Sequence, residues 1–346
     1  MAVGLATTSS KRQLDIDLKR EKQMNVTSIR YLILFAVINT VLFTVTDTRA
    51  QQISQSQKVT ADARIVIENL RGKVSVHTTD SELVEVTGTL DPEAIEFVFT
   101  VNGKDVRIEV KMPKQLGNEA WLDQQSGSDL LIKVPSRASV IGKGISTDFE
   151  LTNLQSNTQV NTVSGSITAN KLSSQVTLET VSGNIVAEQL TGDVRLSTVS
   201  GSIDEQGSRG RVEYRAVSGK IRAQTEASNV NASVVSGSMK LHLAKAVNAN
   251  ISSVNGALIT SAVLTDDSLL NLSSINGPIS LALADDVSVD ITAVAGAGGR
   301  IINDLDSTAV KKVGYRNSKE LNTRLGDGSA LVKASTISGK LHLSKR

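Results

Sequence analysis

Gly165, Gly183, Gly201, Gly219 and Gly237 follow one another at a constant interval of 18 residues, each preceded by Val-Ser and followed two places on by an aliphatic residue or Met239. A fixed period of this kind means that each unit repeats one piece of backbone and stacks on its neighbour. The period can be halved, since Gly192 and Gly210 stand nine residues after Gly183 and Gly201. One unit from Leu190 reads Leu190, Gly192, Val194, Leu196, then Val199, Gly201 and Ile203. Alternation within each half predicts a short strand with one buried face, its Ser, Thr, Asn, Lys and Arg turned to water. The expected fold is all-β: a β-solenoid or β-helix with 18-residue coils, two nine-residue strand-turn units per coil, preceded by an N-terminal signal helix. The glycine is expected at the bend, where a residue without Cβ can take φ > 0 or admit the backbone of the next coil. The serines before it, at 164, 182, 200, 218 and 236, are expected to form a hydroxyl ladder along the stack.

Aromatic residues make up only 3% of the chain, which suits a thin interior of Val, Ile, Leu and Ala. With no cysteine, a disulfide framework and a thiolate metal site are both excluded. Tyr31 to Thr46 is an uncharged, mostly apolar run with Arg30 before it and Thr48-Arg49-Ala50 after it. That pattern reads as a secretory signal peptide cleaved near Ala50, with Met24 as an alternative start and an uncleaved anchor as the alternative fate. The run is short for a spanning helix, so no transmembrane span is expected in the mature chain. The domain plan is a leader over 1–50, a polar linker over 51–63, and a solenoid over 64–346, less regular at 64–130 and 297–325. The first 50 residues hold seven of the 37 basic and four of the 35 acidic side chains, so the remainder is nearly neutral. No nucleic-acid partner is expected.

Both ends depart from the simple repeat. Leu70, Gly72, Val74 and Val76 already fit the nine-residue frame, Asn102-Gly103 signals a hairpin, and Gln115 to Ser128 reads as a loop. Beyond Gly237 the frame continues at Gly256, Gly277 and Gly296, lapses over 297–325, and returns at Ile337-Ser338-Gly339. A final coil ending in Lys345-Arg346 is expected to guard the exposed end of the stack.

The Val-Ser-Gly-x-Ile units, the Leu190 to Val194 half repeat, the early Asn69 to Val74 and the Ile132 to Pro135 segment resemble the bacterial adhesin-like family of β-strand-repeat domains. The likeness covers most of residues 60 to 346. It implies an exported or envelope-associated β-solenoid in the periplasm or at the cell surface, with a protein or glycan partner and no catalytic residues to carry over.

Candidate chemistry is sparse. Calcium-binding β-rolls need Gly-Gly-x-Gly-x-Asp at their bends, and the bends here offer Ser, Thr and single glycines. Asp266-Asp267 and Asp285-Asp286, 19 residues apart, would lie one coil above the other and face mutual repulsion unless an ion separates them. Arg209, Arg211, Arg215, Lys220 and Arg222 gather on adjacent coils, with Glu205 and Glu213 interleaved. His77, His242 and His342 fall on outward strand positions, Tyr214 on an inward one. Glycan-active β-helix enzymes use paired carboxylates beneath stacking aromatics, whereas outside the leader the aromatic rings with a polar handle are Trp121, Tyr214 and Tyr315. The expectation is a non-enzymatic structural or interaction surface without cofactor, metal or catalytic site. An envelope sensor binding a partner protein through 115–128 and 297–325 is the second reading, and a glycan-active enzyme the third.

Overall fold

The computed structural model describes residues 51–114, 127–314 and 317–346. The leader, and most of the loop expected at 115–128 with Trp121, lie outside these residues, as does Tyr315. Every regular element among the described residues is a strand, and the 27 strands form one hydrogen-bonded sheet. No helix among them is long and apolar enough to cross a membrane.

Two long strands, β2 (Arg64–Thr79) and β7 (Ser139–Thr152), turn a corner and contribute to both walls of the stack. From there the chain adds one short strand to each wall in turn. The first wall receives β8 (Thr158–Thr162), β10 (Ser173–Thr180), β12 (Thr191–Thr198), β14 (Arg209–Ala216), β16 (Asn229–Val234), β18 (Asn248–Ser253) and β20 (Leu269–Ser274). The second receives β9 (Ile167–Asn170), β11 (Ile185–Glu188), β13 (Ser202–Gln206), β15 (Lys220–Thr225), β17 (Ser238–Leu243), β19 (Ala257–Ala262) and β21 (Ile279–Leu283). All these pairings are parallel, and equivalent residues stack: Val176 pairs with Val194 and Val194 with Val212, while on the other wall Ile185 pairs with Ile203 and Ile203 with Ile221. Alternate side chains therefore enter a common interior, where Leu178, Leu196, Ile167 and Ile185 are fully buried.

The structure separates the two roles open to glycine. At the Val-Ser-Gly corners the backbone is not left-handed; a Cβ on Gly201 would stand 1.7 Å from the carbonyl oxygen of Gly183, and one on Gly183 1.8 Å from that of Gly165. These glycines are required by coil-to-coil approach. Positive φ falls elsewhere, on Gly192 and Gly210 and on the other bend at Asn153, Lys171, Gln189 and Gly207, which recur every 18 residues. The expected serine ladder is also displaced. Ser164, Ser182 and Ser200 are exposed, and the hydroxyls that tie the corners belong to buried residues three places before the glycine. Thr180 Oγ1 accepts from Gly183 N at 3.1 Å and donates to Gly165 O at 3.1 Å; Thr198 accepts from Gly201 N at 3.0 Å, and Ser274 from Gly277 N at 2.9 Å. Each satisfies a corner amide that the close approach would otherwise bury without a partner.

Antiparallel strands close the ends. The segment 51–63, expected as a linker, contains β1 (Gln52–Lys58), which pairs along its whole length with β3 (Leu83–Thr89). In the same wall β3 is antiparallel to β6 (Ser128–Pro135), and in the other β4 (Glu96–Asn102) and β5 (Asp105–Lys111) form the hairpin signalled by Asn102-Gly103. The buried Arg71 guanidinium grips the Asp91 carboxylate, with Nη2 at 2.9 Å from Oδ1, and so fastens the loop after β3 to β2.

The far end departs from chain order. β22 (Val289–Ala295) and β23 (Arg300–Asp304) do not lie on β20 and β21; between them sit β26 (Ala330–Thr336) and β27 (Lys340–Lys345). The terminal coil is thus internal to the stack, which corrects its expected place as the guard of a free end. The outer side of β22 is covered instead by antiparallel β25 (Ser318–Leu325), followed by β24 (Lys311–Val313). The return to β26 passes Gly326 and Gly328, both at positive φ, and clips onto Ser288, whose Oγ accepts from Asp327 N at 2.9 Å and Gly328 N at 3.0 Å.

Candidate interaction surface

Outward residues of the second wall stand in straight rows because each coil repeats the register of the last. Where β11, β13, β15, β17 and β19 lie side by side, these rows floor a groove of about 400 Å³. One row runs Val186, Asp204, Arg222, Lys240, Ile259 and the next Glu188, Gln206, Gln224, His242, Ser261. Arg222 Nη2 lies 2.8 Å from Asp204 Oδ2, and the carboxylate raises the guanidinium pKa through that hydrogen bond and its charge. His242 Nδ1 is 2.8 Å from Ser261 Oγ; burial, then the charge of Arg346, lowers its pKa, so the ring is neutral at pH 7. The groove therefore offers amides, a neutral imidazole and cations flanked by exposed Val186 and Ile259.

Directly beneath, the interior holds a polar pair. Glu205, expected among the surface charges, occupies an inward slot four residues past Gly201 and is buried. Tyr214 Oη donates to Glu205 Oε2 at 2.7 Å and Ser208 N to Oε1 at 2.6 Å. In register, Ala187 and Ala223 flank Glu205, while Tyr214 lies between Leu196 and Ala232. Burial raises the Glu205 pKa against the pull of its hydrogen bonds, and burial with the nearby carboxylate raises that of Tyr214. The signal in the sequence was the frame itself, which assigns Glu205 to the interior as firmly as it does Tyr214.

Of the remaining basic cluster, Lys220 is exposed, Arg209 and Arg211 reach acids on adjoining coils, and Arg215 reaches one on its own strand. Arg209 Nε is 2.9 Å from Glu226, Arg211 is 3.8 Å from Asp193, and Arg215 contacts Glu213, which also receives Arg195 at 2.8 Å. The two aspartate pairs are not on successive coils. The inserted C-terminal coil separates their bends, and Asp266 accepts from Ser329 Oγ of that coil at 2.7 Å. No cluster of three or more metal-ligating side chains occurs among the described residues. His342 Nε2 lies 2.7 Å from Asp304 Oδ2 and continues the Val186 to Ile259 row beyond Ser280.

Parallel walls, stacked corners and antiparallel ends define a β-solenoid-like repeat domain whose variable features lie on its outer rows. Residues 44–261 match the model of the Toastrack DUF4097 family, and the chain belongs to that family. No curated protein matches it. Among solved structures, a provisionally named adhesin from Parabacteroides merdae ATCC 43184 is 12% identical over 67% of this chain and 92% of its own, with a TM-score of 0.39. A provisionally named lipid-binding protein from Parabacteroides distasonis ATCC 8503 is 13% identical over 85% and 96%, also at 0.39. A provisionally named cell adhesion protein from Clostridium sporogenes ATCC 15579 is 11% identical over 86% and 100%, at 0.23. At these scores the likenesses carry no argument about this chain.

Proposed function

We propose that the chain is an exported, non-enzymatic β-solenoid that serves as an adhesin-like interaction surface in the bacterial cell envelope. In this reading the leader is removed near Ala50, the mature domain is wound in 18-residue coils of two nine-residue strand-turn units, and the groove over β11 to β19 meets a protein or glycan partner. The observation that carries it is the arrangement of outward side chains in rows at coil spacing, a geometry matched to an extended partner. Tyr214 and Glu205, whose proton affinities are both raised, are sealed in the interior beneath that face.

The test joins location to binding. Cell fractionation with external protease should find the protein outside the cytoplasm, and a glycan array or envelope pull-down should give a signal that Lys240→Glu with Gln224→Ala abolishes. A cytoplasmic protein, or binding indifferent to those substitutions, would overturn the proposal. Release of sugar fragments from any polymer on the array would overturn the non-enzymatic part.

A further inference from the structure

The first residue of each corner forms a second row, distinct from the groove. Val163, Val181, Val199, Val217 and Val235 are 41–44% exposed, and Ile145, Ile275 and Ile337 are exposed with them. Backbone hydrogen bonds place them on consecutive rungs: Ser182 N donates to Val163 O at 2.8 Å, Ser236 N to Val217 O at 2.8 Å, Asn276 N to Val254 O at 2.8 Å, and Ser338 N to Ile275 O at 2.9 Å. The row thus runs over nine rungs from Ile145 to Ile337, Val254 included. The residue after each aliphatic one is Ser or Asn at every rung, so a two-residue strip along the stack carries no charge in a chain that is 21% charged. Depletion of charge around exposed aliphatic groups marks the core of a protein interface rather than an ordinary wet edge.

We propose that this ridge is a homodimer interface, formed by the same ridge of a second copy running antiparallel. Area supports it: nine aliphatic side chains and their small polar neighbours offer roughly 600 to 1,000 Å² per copy, against the about 800 Å² a stable interface takes from each partner. Shape selects a second copy, because a rigid row repeating at about 4.8 Å finds its matching period in itself. Symmetry selects the direction. A two-fold axis parallel to the stack forces aliphatic residues to meet at the same level, whereas a perpendicular axis can stagger the two rows by half a rung and still close. Maximal overlap puts that axis beside the central rung, Val217, so that Val163 faces Ile275 of the other copy. Charges flank the strip on four rungs, as Lys143 and Asp148 beside Ile145, Glu179 beside Val181, Arg215 and Lys220 beside Val217, and Lys340 beside Ile337. Arg215, drawn onto Glu213, and Lys220 are the ones nearest the axis; their self-repulsion is screened by salt, so association should strengthen as ionic strength rises.

The absence of native cysteine makes the register directly readable. Under mild oxidation Val217→Cys should give a covalent dimer and Val163→Cys should not, while a mixture of Val163→Cys and Ile275→Cys proteins should cross-link. Sedimentation at about 100 µM should show a dimer that Val199→Asp with Val217→Asp, both at exposed positions, converts to a monomer with an unchanged circular dichroism spectrum. A monomeric wild-type protein without cross-linking at Val217 overturns the proposal, as does cross-linking of Val163→Cys alone at the Val217→Cys yield. Ridge-dependent binding of a monomer to phosphatidylcholine vesicles would overturn it in favour of a lipid surface. These outcomes are independent of the groove, whose variants leave the ridge intact.

Discussion

The middle of the stack and its C-terminal end use the same nine-residue frame to different effect. From β8 to β21 each coil lies on the one made just before it, and each strand pairs with the second strand after it. From β22 onward the order is broken: the last coil of the chain separates the coils that precede it. The frame evidently dictates which side chains enter the interior and which corners meet, since both arrangements satisfy it. It does not dictate which coil is the neighbour. A parallel rung presents the same row of amides and carbonyls and the same glycine corner to any other rung, so sequence order enters only through the connections. At the C-terminal end the decisive connection is the turn at Gly326 to Gly328, fastened on Ser288, together with the antiparallel strand β25 that occupies the outer side of β22.

Removing residues 330–346 should have the largest consequence. β22 and β23 would lose their parallel neighbours, and amide exchange protection should vanish over 289–325 while the stack up to β21 keeps its own. Full protection of β22 in the truncated chain would show that it can close directly on β20 and that the intercalated order is not demanded by fit. Next comes Gly201→Ala. Its Cβ would meet the Gly183 carbonyl far inside contact distance, backbone against backbone, so two coils must part; the expected loss is about 3 kcal/mol or more, read from denaturant unfolding. Gly298→Ala at the irregular end meets nothing nearer than 3.6 Å and should change stability by less than about 0.5 kcal/mol. Equal effects at both sites would remove the distinction between a stacked corner and a loop.

A smaller effect separates the regions by pH. Asp306 is pushed upward by burial, but hydrogen bonds from Thr323, Asn303 Nδ2 at 2.7 Å and Thr308 N at 3.0 Å outweigh it and hold the carboxyl at about 2. A carboxyl depressed in the folded state contributes stability that is whole above the ordinary value of 3.8 and is lost as pH falls through about 2. Because the Thr323 contact ties the loop after β23 to β25, protection of β25 should fade between pH 4 and 2. Asp306→Asn should remove that dependence; a β25 equally protected at pH 2 and pH 5 would contradict it.

Much of this architecture can be read from the residues. The alternation around Leu190 to Ile203 is enough for short strands with one buried face, and the register of Val-Ser-Gly fixes which glycines meet. Other features leave no such trace. β1 has a single buried apolar residue, Ile53, and is held by the backbone of β3, so its polar side chains resemble a linker. The left-handed bend at Asn153, Lys171 and Gln189 is occupied by ordinary residues, which disguises it. Intercalation is invisible for the reason given above: the frame is degenerate with respect to neighbour order. Glu205 was legible in principle, but its charge suggests the surface more strongly than its position suggests the interior.

That position yields the smallest and most discriminating test. The raised Glu205 pKa means that the folded state prefers the protonated carboxyl. Its stabilisation is complete below the ordinary carboxylate value and is lost as pH rises through the raised one. Gln at this position keeps an acceptor for Ser208 N and a partner for Tyr214 Oη while removing the charge. Glu205→Gln should therefore raise stability at pH 8 by on the order of 1 kcal/mol and lose that advantage toward pH 4, as followed by paired thermal melts. A variant weaker than the parent at every pH would mean that the two strong hydrogen bonds to the carboxylate outweigh its burial. In that case the alanines around Glu205 and Tyr214 would have to be understood as making room for an ion rather than for a neutral acid.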